Sequence, residues 1–455
     1  MNQFKKMLSS VDMTEGPPWK KLLYFTIPLL VGNMFQQLYN TADAVVLGRY
    51  IGDGALAAVG ASIPLLFLVL VLLMGVAVGT GIMISQYFGA KLREDLSYTI
   101  GNSLTVTTLM GIFLMITGPF IARPLLIALQ TPPEILDDAV LYTQIMLWGV
   151  LPTAYFNVLS GILRGLGDAL SPLIYLAIAS VLNIVLNVTF IAVLGWGMPA
   201  VAVGTVVSQG VSAILCLRKL LKMTDVFDTN LYFLKLKRKF AVQILKLGIP
   251  TGVSQAIIAL AVMAVQPLVN GFGDLFIASY VVVMRIDGFV VMPAFSFSNA
   301  ITVFTGQNMG AGKIERLAQG TRQCGILAFL VCSSLVGGIL LFGHHIASVF
   351  TQTPEVIELS QQMLFILAPG YIAFSVAMVL WGTIRGAGDA ISPLVGASVN
   401  SILVRVPAAY LLIYLMGEVP EAIMYSILIA WISNTLISII VYKMGHWRKK
   451  GLVKT

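Results

Sequence analysis

Charge is what this chain has least of. Asp, Glu, Lys and Arg together make up 11% of its 455 residues, against roughly 25% in a soluble globular domain. With 58% hydrophobic residues, too little polar surface remains to keep a chain of this length in water. Soluble, secreted and disordered classes are excluded. Cysteine is scarce too. Cys216, Cys324 and Cys332 are odd in number and show no CxxC spacing, which removes a disulfide framework and a zinc site; they read as small core residues. No glycine-rich phosphate loop ending in Gly-Lys-Ser/Thr and no HExxH segment occurs, so ATP hydrolysis by this chain and zinc-hydrolase chemistry are unsupported. His344, His345 and His446 stand without further ligands. The adjacent acids Glu94-Asp95 and Asp137-Asp138 lie outside the apolar stretches, so a membrane-embedded transferase lacks its acidic metal ligands. We expect no enzyme and no cofactor.

What the chain has is hydrophobic runs. Twelve stretches, from 22–48 to 420–444, are long enough for the roughly 20 residues a bilayer-crossing helix needs. The fold expected is an all-α polytopic membrane protein. Lys and Arg set its orientation: with the N-terminus inside, 24 of the 28 fall on the cytoplasmic side, as positive-inside insertion requires. Both termini are then cytoplasmic. The net charge of +8 is a topology signal and does not point to nucleic acid.

The long polar connection divides the chain into an N-terminal six-helix lobe (1–221), a cytoplasmic linker (222–240) and a C-terminal six-helix lobe (241–455). The halves resemble one another. Arg164-Gly-Leu-Gly-Asp-Ala-Leu-Ser-Pro172 returns 221 residues later as Arg385-Gly-Ala-Gly-Asp-Ala-Ile-Ser-Pro393. Gln86, Gly89 and Ala90 return as Gln307, Gly310 and Ala311, and Ile27-Pro28 as Ile249-Pro250. Six is even, so both halves enter from one side, and we expect two parallel bundles related by a pseudo-two-fold axis along the membrane normal. The repeated Gly-Asp-Ser-Pro segments read first as structural corners.

Further motifs sharpen this. Gln36-Gln37, Asn40-Thr-Ala-Asp43, Gly48-Arg49, Gln86-Tyr-Phe-Gly-Ala90, Asn183-Ile-Val-Leu-Asn187 and Gly306-Gln-Asn-Met-Gly-Ala-Gly312 stand in order along nearly the whole chain. In these the chain resembles the multidrug and toxic compound extrusion (MATE) transporters. Met284-Arg-Ile-Asp287 is similar to the DNA-damage-inducible-protein-F-like prokaryotic branch. The resemblance implies a secondary antiporter of the prokaryotic inner membrane that exports organic, often cationic, compounds in exchange for H+ or Na+ by rocker-switch alternating access. It implies a small-molecule substrate and the bilayer as partners, and a monomer. A lipid-linked oligosaccharide flippase of the same superfamily is the alternative; such flippases line their cavity with several cations, whereas only Arg285 and Arg405 lie in spans here.

An ionisable residue inside a span is costly and therefore a functional candidate. Asp43 ends a polar stripe of Asn33, Gln36 and Asn40 on the first helix, flanked by Tyr39. The fifth helix offers Ser180, Asn183 and Asn187 on one face, and the sixth Thr205, Ser208, Gln209 and Ser212. Ser and Thr in membrane bundles commonly just bond neighbouring helices, which we take as the role of Ser180, Ser208 and Ser212. By resemblance, Asp43, Asn183 and Thr205 match the ion- or proton-coupling positions of the family, with sodium one candidate occupant, and Asn187 replaces an acid found there in relatives. Gln36, Tyr39, Asn40, Tyr142 and Asn157 match its substrate cavity or polar network. In the second half, Arg285 and Asp287 point about 200° apart on a helix, so each needs a partner elsewhere; Asn400 and Arg405 are candidates.

The orientation is testable on intact cells. A Lys237→Cys variant of an otherwise cysteine-free protein should react with membrane-impermeant maleimide only after permeabilisation; labelling from outside would reverse the topology.

Overall fold

In the hydrocarbon core no water is available to the backbone, so every N–H and C=O must be bonded within its own segment unless a barrel closes. In the computed structural model, which describes residues 11–417 and 419–453, every regular element among the described residues is helical. The helices are α1 (Pro18–Tyr50), α2 (Asp53–Gly89), α3 (Arg93–Ala128), α4 (Pro133–Trp148), α5 (Val150–Gly165), α6 (Leu170–Val188) and α7 (Pro199–Leu221). After a linker come α8 (Arg238–Gly271), α9 (Asp274–Val290), α10 (Met292–Gly310), α11 (Ile314–Ser348), α12 (Pro354–Gly386), α13 (Ile391–Ser398), α14 (Val406–Met416) and α15 (Glu421–Met444).

Ten helices, counting continuous runs such as Asp274–Gly310, are long and apolar enough to cross a membrane. The pair α4 and α5, bent by 50°, makes an eleventh. Pro152 explains the bend: it lacks the N–H that would bond back to Trp148. The 33-residue α1 completes the twelve expected. Several run well beyond the bilayer. The 36 residues of α3 span about 54 Å, against a hydrocarbon core of about 30 Å, so its ends project into water and carry Arg93 and Arg123. Two short π-helices interrupt the regular pattern, Thr189–Val193 after α6 and Val399–Arg405 between α13 and α14.

The chain forms two compact units. One holds Ile27–Gly252; the other holds Met13–Thr26 and the stretch from Val253 onward. The divisions fall inside α1 and α8, beside the repeated Ile27-Pro28 and Ile249-Pro250 pairs. Within the second unit the segment before α1 is tied down by side chains: Gln307 Oε1 accepts from the Met13 N–H at 2.9 Å, Asn308 Nδ2 donates to Met13 O at 3.1 Å, and an Arg316 amino group donates to Gly16 O at 2.9 Å.

The repeat governs packing inside each unit. In the first, α2 and α5 cross with backbones nearly touching: a Cβ on Gly161 would lie 2.6 Å from Ala77 O, and one on Gly165 2.8 Å from Gly81 O. In the second, α10 and α12 cross the same way. A Cβ on Gly382 would lie 2.5 Å from Ser298 O, and one on Gly386 would overlap Thr302 O. Each residue of this second crossing is 221 positions after its partner in the first. Small residues let membrane helices approach where there is no hydrophobic drive to squeeze them together.

The repeated corners are structural, as expected. Gly167 and Gly388 have φ of +90° and +99°, conformations that a Cβ disfavours. Asp168 then accepts from the Ser171 N–H at 2.9 Å and hydroxyl at 2.6 Å, and Asp389 does the same for Ser392 at 3.0 and 2.7 Å. These carboxylates start α6 and α13.

A further close crossing, of α2 with the start of α8, gives a test. A Cβ on Gly79 would lie 2.7 Å from Gly248 N and 2.8 Å from Ile244 O. Gly79→Val should destabilise the protein by at least about 1–3 kcal/mol, read as a lowered melting temperature in detergent. Gly325→Ala, at a site with nothing within 4 Å of the added Cβ, should leave it unchanged.

Candidate functional site

Three helices of the first unit bring polar side chains to one point. α1 presents Tyr39 and Asp43 one turn apart, α6 presents Asn183 and Asn187 one turn apart, and α7 presents Thr205. Asn187 Nδ2 donates to Asp43 Oδ1 at 2.7 Å. The Thr205 hydroxyl stands 3.5 Å from Asp43 Oδ2. Asn183 and Asn187 are fully buried, Thr205 nearly so, and Asp43 half-buried.

With its nitrogen turned to the carboxylate, the Asn183 amide donates to Asp43 Oδ1 at 2.7 Å while its oxygen accepts from the Thr205 N–H at 3.3 Å. None of the four ion pairs among the described residues includes Asp43. Its charge is met by amides and a hydroxyl alone.

Tyr39 and Tyr142 complete the group. Both are buried. Tyr39 stands beside Thr205, Gln209, Asp43 and Tyr142, and Tyr142 couples electrostatically to Asp43. Gln36 lies two turns before Asp43 on α1, half-buried. Asn157 is not drawn in by any described contact; its Nδ2 bonds back to Thr153 O at 2.8 Å within α5. The side chain of Asn40 lies outside the described residues. Ser212 bonds the Tyr175 carbonyl of α6 at 2.9 Å, as a residue that joins two helices does, whereas Ser180 bonds back to Leu176 O at 2.9 Å within α6 itself. Buried Ser208 Oγ, in contrast, has no partner.

Motif spacing does not reveal Gly204. A Cβ there would overlap Asn187 Oδ1, so glycine is what lets the Asn187 amide sit between α6 and α7 and reach Asp43. The π-helical turn at Thr189–Val193 begins two residues beyond Asn187; such turns recur at functional sites because they re-aim side chains.

The second unit holds a different polar cluster. Asp287 on α9 interacts with Tyr371 on α12 and with Arg405, the last residue of the π-helix Val399–Arg405. Asp287 Oδ1, Tyr371 OH, Arg405 Nε and Asn400 Oδ1 are buried without a close hydrogen bond. Tyr371, three helices away from Asp287 in sequence, has no signal in the sequence that would pair them. Arg285 is exposed.

Fold and site together define a twelve-helix membrane transporter with an uncompensated carboxylate in its first half. The comparisons with known proteins make the class specific. The MatE family model matches residues 28–189 and again 250–411, two segments offset by 222, the offset of the Ile-Pro pairs. The chain belongs to the MatE family, the MATE transporters, and is not an enzyme. It is 28% identical over 449 residues to the "Probable multidrug resistance protein YoeA" of Bacillus subtilis (strain 168), covering 96% of each chain. It is 25% identical over 461 residues to the "Probable multidrug resistance protein NorM" of Thermotoga maritima, covering 99% of this chain and 97% of that one. Among solved structures, a MATE protein in a bent conformation aligns with a TM-score of 0.90 at 25% identity, over 96% of this chain and 98% of that one. A transporter of the MOP superfamily from Pyrococcus furiosus aligns at 0.89 with the same identity and coverage.

Gly204 offers the local test. Gly204→Ala should displace the Asn187 amide from Asp43 and cut transport at least about tenfold, the loss expected when a charge-assisted hydrogen bond of about 1.5–3 kcal/mol is removed, while expression and helical content stay normal. Wild-type transport by this variant would show that the Asn187–Asp43 bond is dispensable.

Proposed function

We propose that this protein is a secondary antiporter that exports organic, cationic and amphipathic compounds in exchange for H+ or Na+. It works as a monomer in the inner membrane of a prokaryotic cell, both termini cytoplasmic, by rocker-switch alternating access of lobes 1–221 and 241–455 joined by the linker 222–240. The names of the relatives support export of diverse compounds. Support for coupling at Asp43 rests on one observation: its carboxylate is held by Asn187 Nδ2 at 2.7 Å with no cationic side chain paired to it.

An ionised carboxylate in so dry a place is costly until something neutralises it. Three neutralisers are available to the cycle: a proton on Asp43, a sodium ion, and the cationic substrate itself. A proton would sit on the Asp43 carboxyl. Sodium would draw on the carboxylate with the Thr205 hydroxyl and the amide oxygens, hard donors of the kind alkali and alkaline-earth ions prefer. Because these occupants compete for one negative charge, binding of one favours release of another. Competition of this kind turns two binding equilibria into exchange. Tyr39 and Tyr142 give the site aromatic faces that suit an organic cation.

The experiment is transport in proteoliposomes under separately imposed pH and sodium gradients. Wild type should drive uphill dye movement with one of the two. Asp43→Asn keeps the shape and removes the charge; it should abolish gradient-driven movement while the protein remains folded. Uphill transport by Asp43→Asn at the wild-type rate would overturn coupling at this residue.

A further inference from the structure

The linker between α7 and α8 does more than join them. It is strapped along the start of α3 by a dense set of bonds. Arg93 Nε donates to Asp228 Oδ1 at 2.9 Å, and its amino groups donate to Asp225 O and Thr224 O at 2.8 and 2.6 Å. The Asp228 N–H donates to Ser97 Oγ at 2.9 Å, Thr105 Oγ1 to Leu234 O at 2.7 Å, and the Lys237 N–H to Asn102 Oδ1 at 2.7 Å. Gly101 makes this contact feasible, because a Cβ there would overlap Phe233 O. The strap is fixed, yet it does not fill the space beneath it.

Between α3, α5, α7 and the strap lies a cavity of about 850 Å³. Leu104, Leu109, Ile214, Leu217 and Leu234 give it an apolar wall. The polar groups deep inside are already satisfied: the Thr108 hydroxyl donates to Leu104 O at 2.7 Å and pairs with Tyr155 OH at 2.5 Å. A cavity of this character holds hydrocarbon and not water. From Ser97 to Leu109 it follows α3 for twelve residues, about 18 Å, a little more than the roughly 15 Å depth of one leaflet of hydrocarbon.

Arg218, Lys222 and Lys235 each follow a lining residue in sequence, Leu217, Leu221 and Leu234, and all three cations are exposed. Asp228 is already bound by Arg93, leaving Asp225 as the acid on this stretch with no ion pair to Arg93. The roof is the short helical turn Leu231–Leu234, where Leu231 is 79% and Tyr232 57% exposed, the amphipathic composition that seats at headgroup depth.

We propose that this groove binds an anionic phospholipid of the leaflet on the linker side. One acyl chain lies along α3 between α5 and α7, under the Leu231–Leu234 turn, and the phosphate sits among Arg218, Lys222 and Lys235. The site is separate from Asp43 and its neighbours, with which it shares no residue. A chain bound there completes the packing under the strap that leads into α8, so bilayer composition would set how firmly that strap is held.

The test uses the full-length protein in nanodiscs of phosphatidylcholine, with or without phosphatidylglycerol, read by native mass spectrometry of retained lipid and by melting temperature. Wild type should retain phosphatidylglycerol and gain stability from it. Ile214→Trp, which fills the groove from an exposed position, should lose the retained lipid and the stability gain while staying monodisperse. Arg218→Gln with Lys222→Gln and Lys235→Gln should keep a bound lipid but lose the preference for phosphatidylglycerol over phosphatidylcholine by about tenfold or more. Unchanged lipid retention by Ile214→Trp would overturn the proposal. So would displacement of phosphatidylglycerol by ethidium, which would make the groove a stop on the export route.

Discussion

A single carboxylate in a medium that cannot solvate it shapes the first half of this protein. Asp43 is held by the two asparagines of α6 and the threonine of α7, and none of these carries a charge. Had evolution placed an arginine there, the charge would be permanently cancelled and the residue would be structural. Amides cannot cancel it; they can only orient it and lower the cost of leaving it ionised. The carboxylate is therefore left without a fixed counter-charge, and Gly204 leaves room for the Asn187 amide that reaches it.

The second half meets the same physical problem differently. Positions 221 or 222 after Asp43, Asn183 and Thr205 hold Val265, Val404 and Ser426, so the carboxylate cage has no counterpart. Asp287 instead lies near Arg405, with Tyr371 between elements distant in sequence. The two attract one another without a close ion pair, since Asp287 Oδ1 and Arg405 Nε are both buried without a hydrogen bond. Duplication has kept what packing demands, the glycine crossings and the Asp-Ser corners, because any Cβ at a backbone contact of 2.5–2.8 Å is excluded in both copies. The polar sites were free to diverge, since they constrain function and not the approach of helices.

The segments ahead of α1 and α8 show how a repeat can be joined without loose ends. Each is bonded along its backbone by helix side chains, Asn308 at the end of α10 and Arg316 at the start of α11 in one case, Arg93 and Asn102 of α3 in the other. Arginine suits the task because its fork of donors can collect several carbonyls at once. The polar connection thereby becomes an ordered surface element at the edge of the bilayer.

Much of the molecule was determined by sequence alone. Apolar run length gives the spans, because bilayer thickness sets it, and repeated Gly-Asp-Ser-Pro segments mark corners whose backbone conformation tolerates few residues. Asp43 stands out because a charge within a span is rare and its helix carries a polar stripe. Local pattern could not say which residues meet across helices. Asn157, polar and on a helix of the same bundle, bonds its own turn, whereas buried Tyr142 feels the charge of Asp43; nothing in their spacing separates them. Tyr371, Gly204 and the groove under the linker are equally silent in sequence, because each depends on the approach of chain segments far apart. Tertiary packing decided those, since contact between helices turns on crossing angle and side-chain volume, which no single helix encodes.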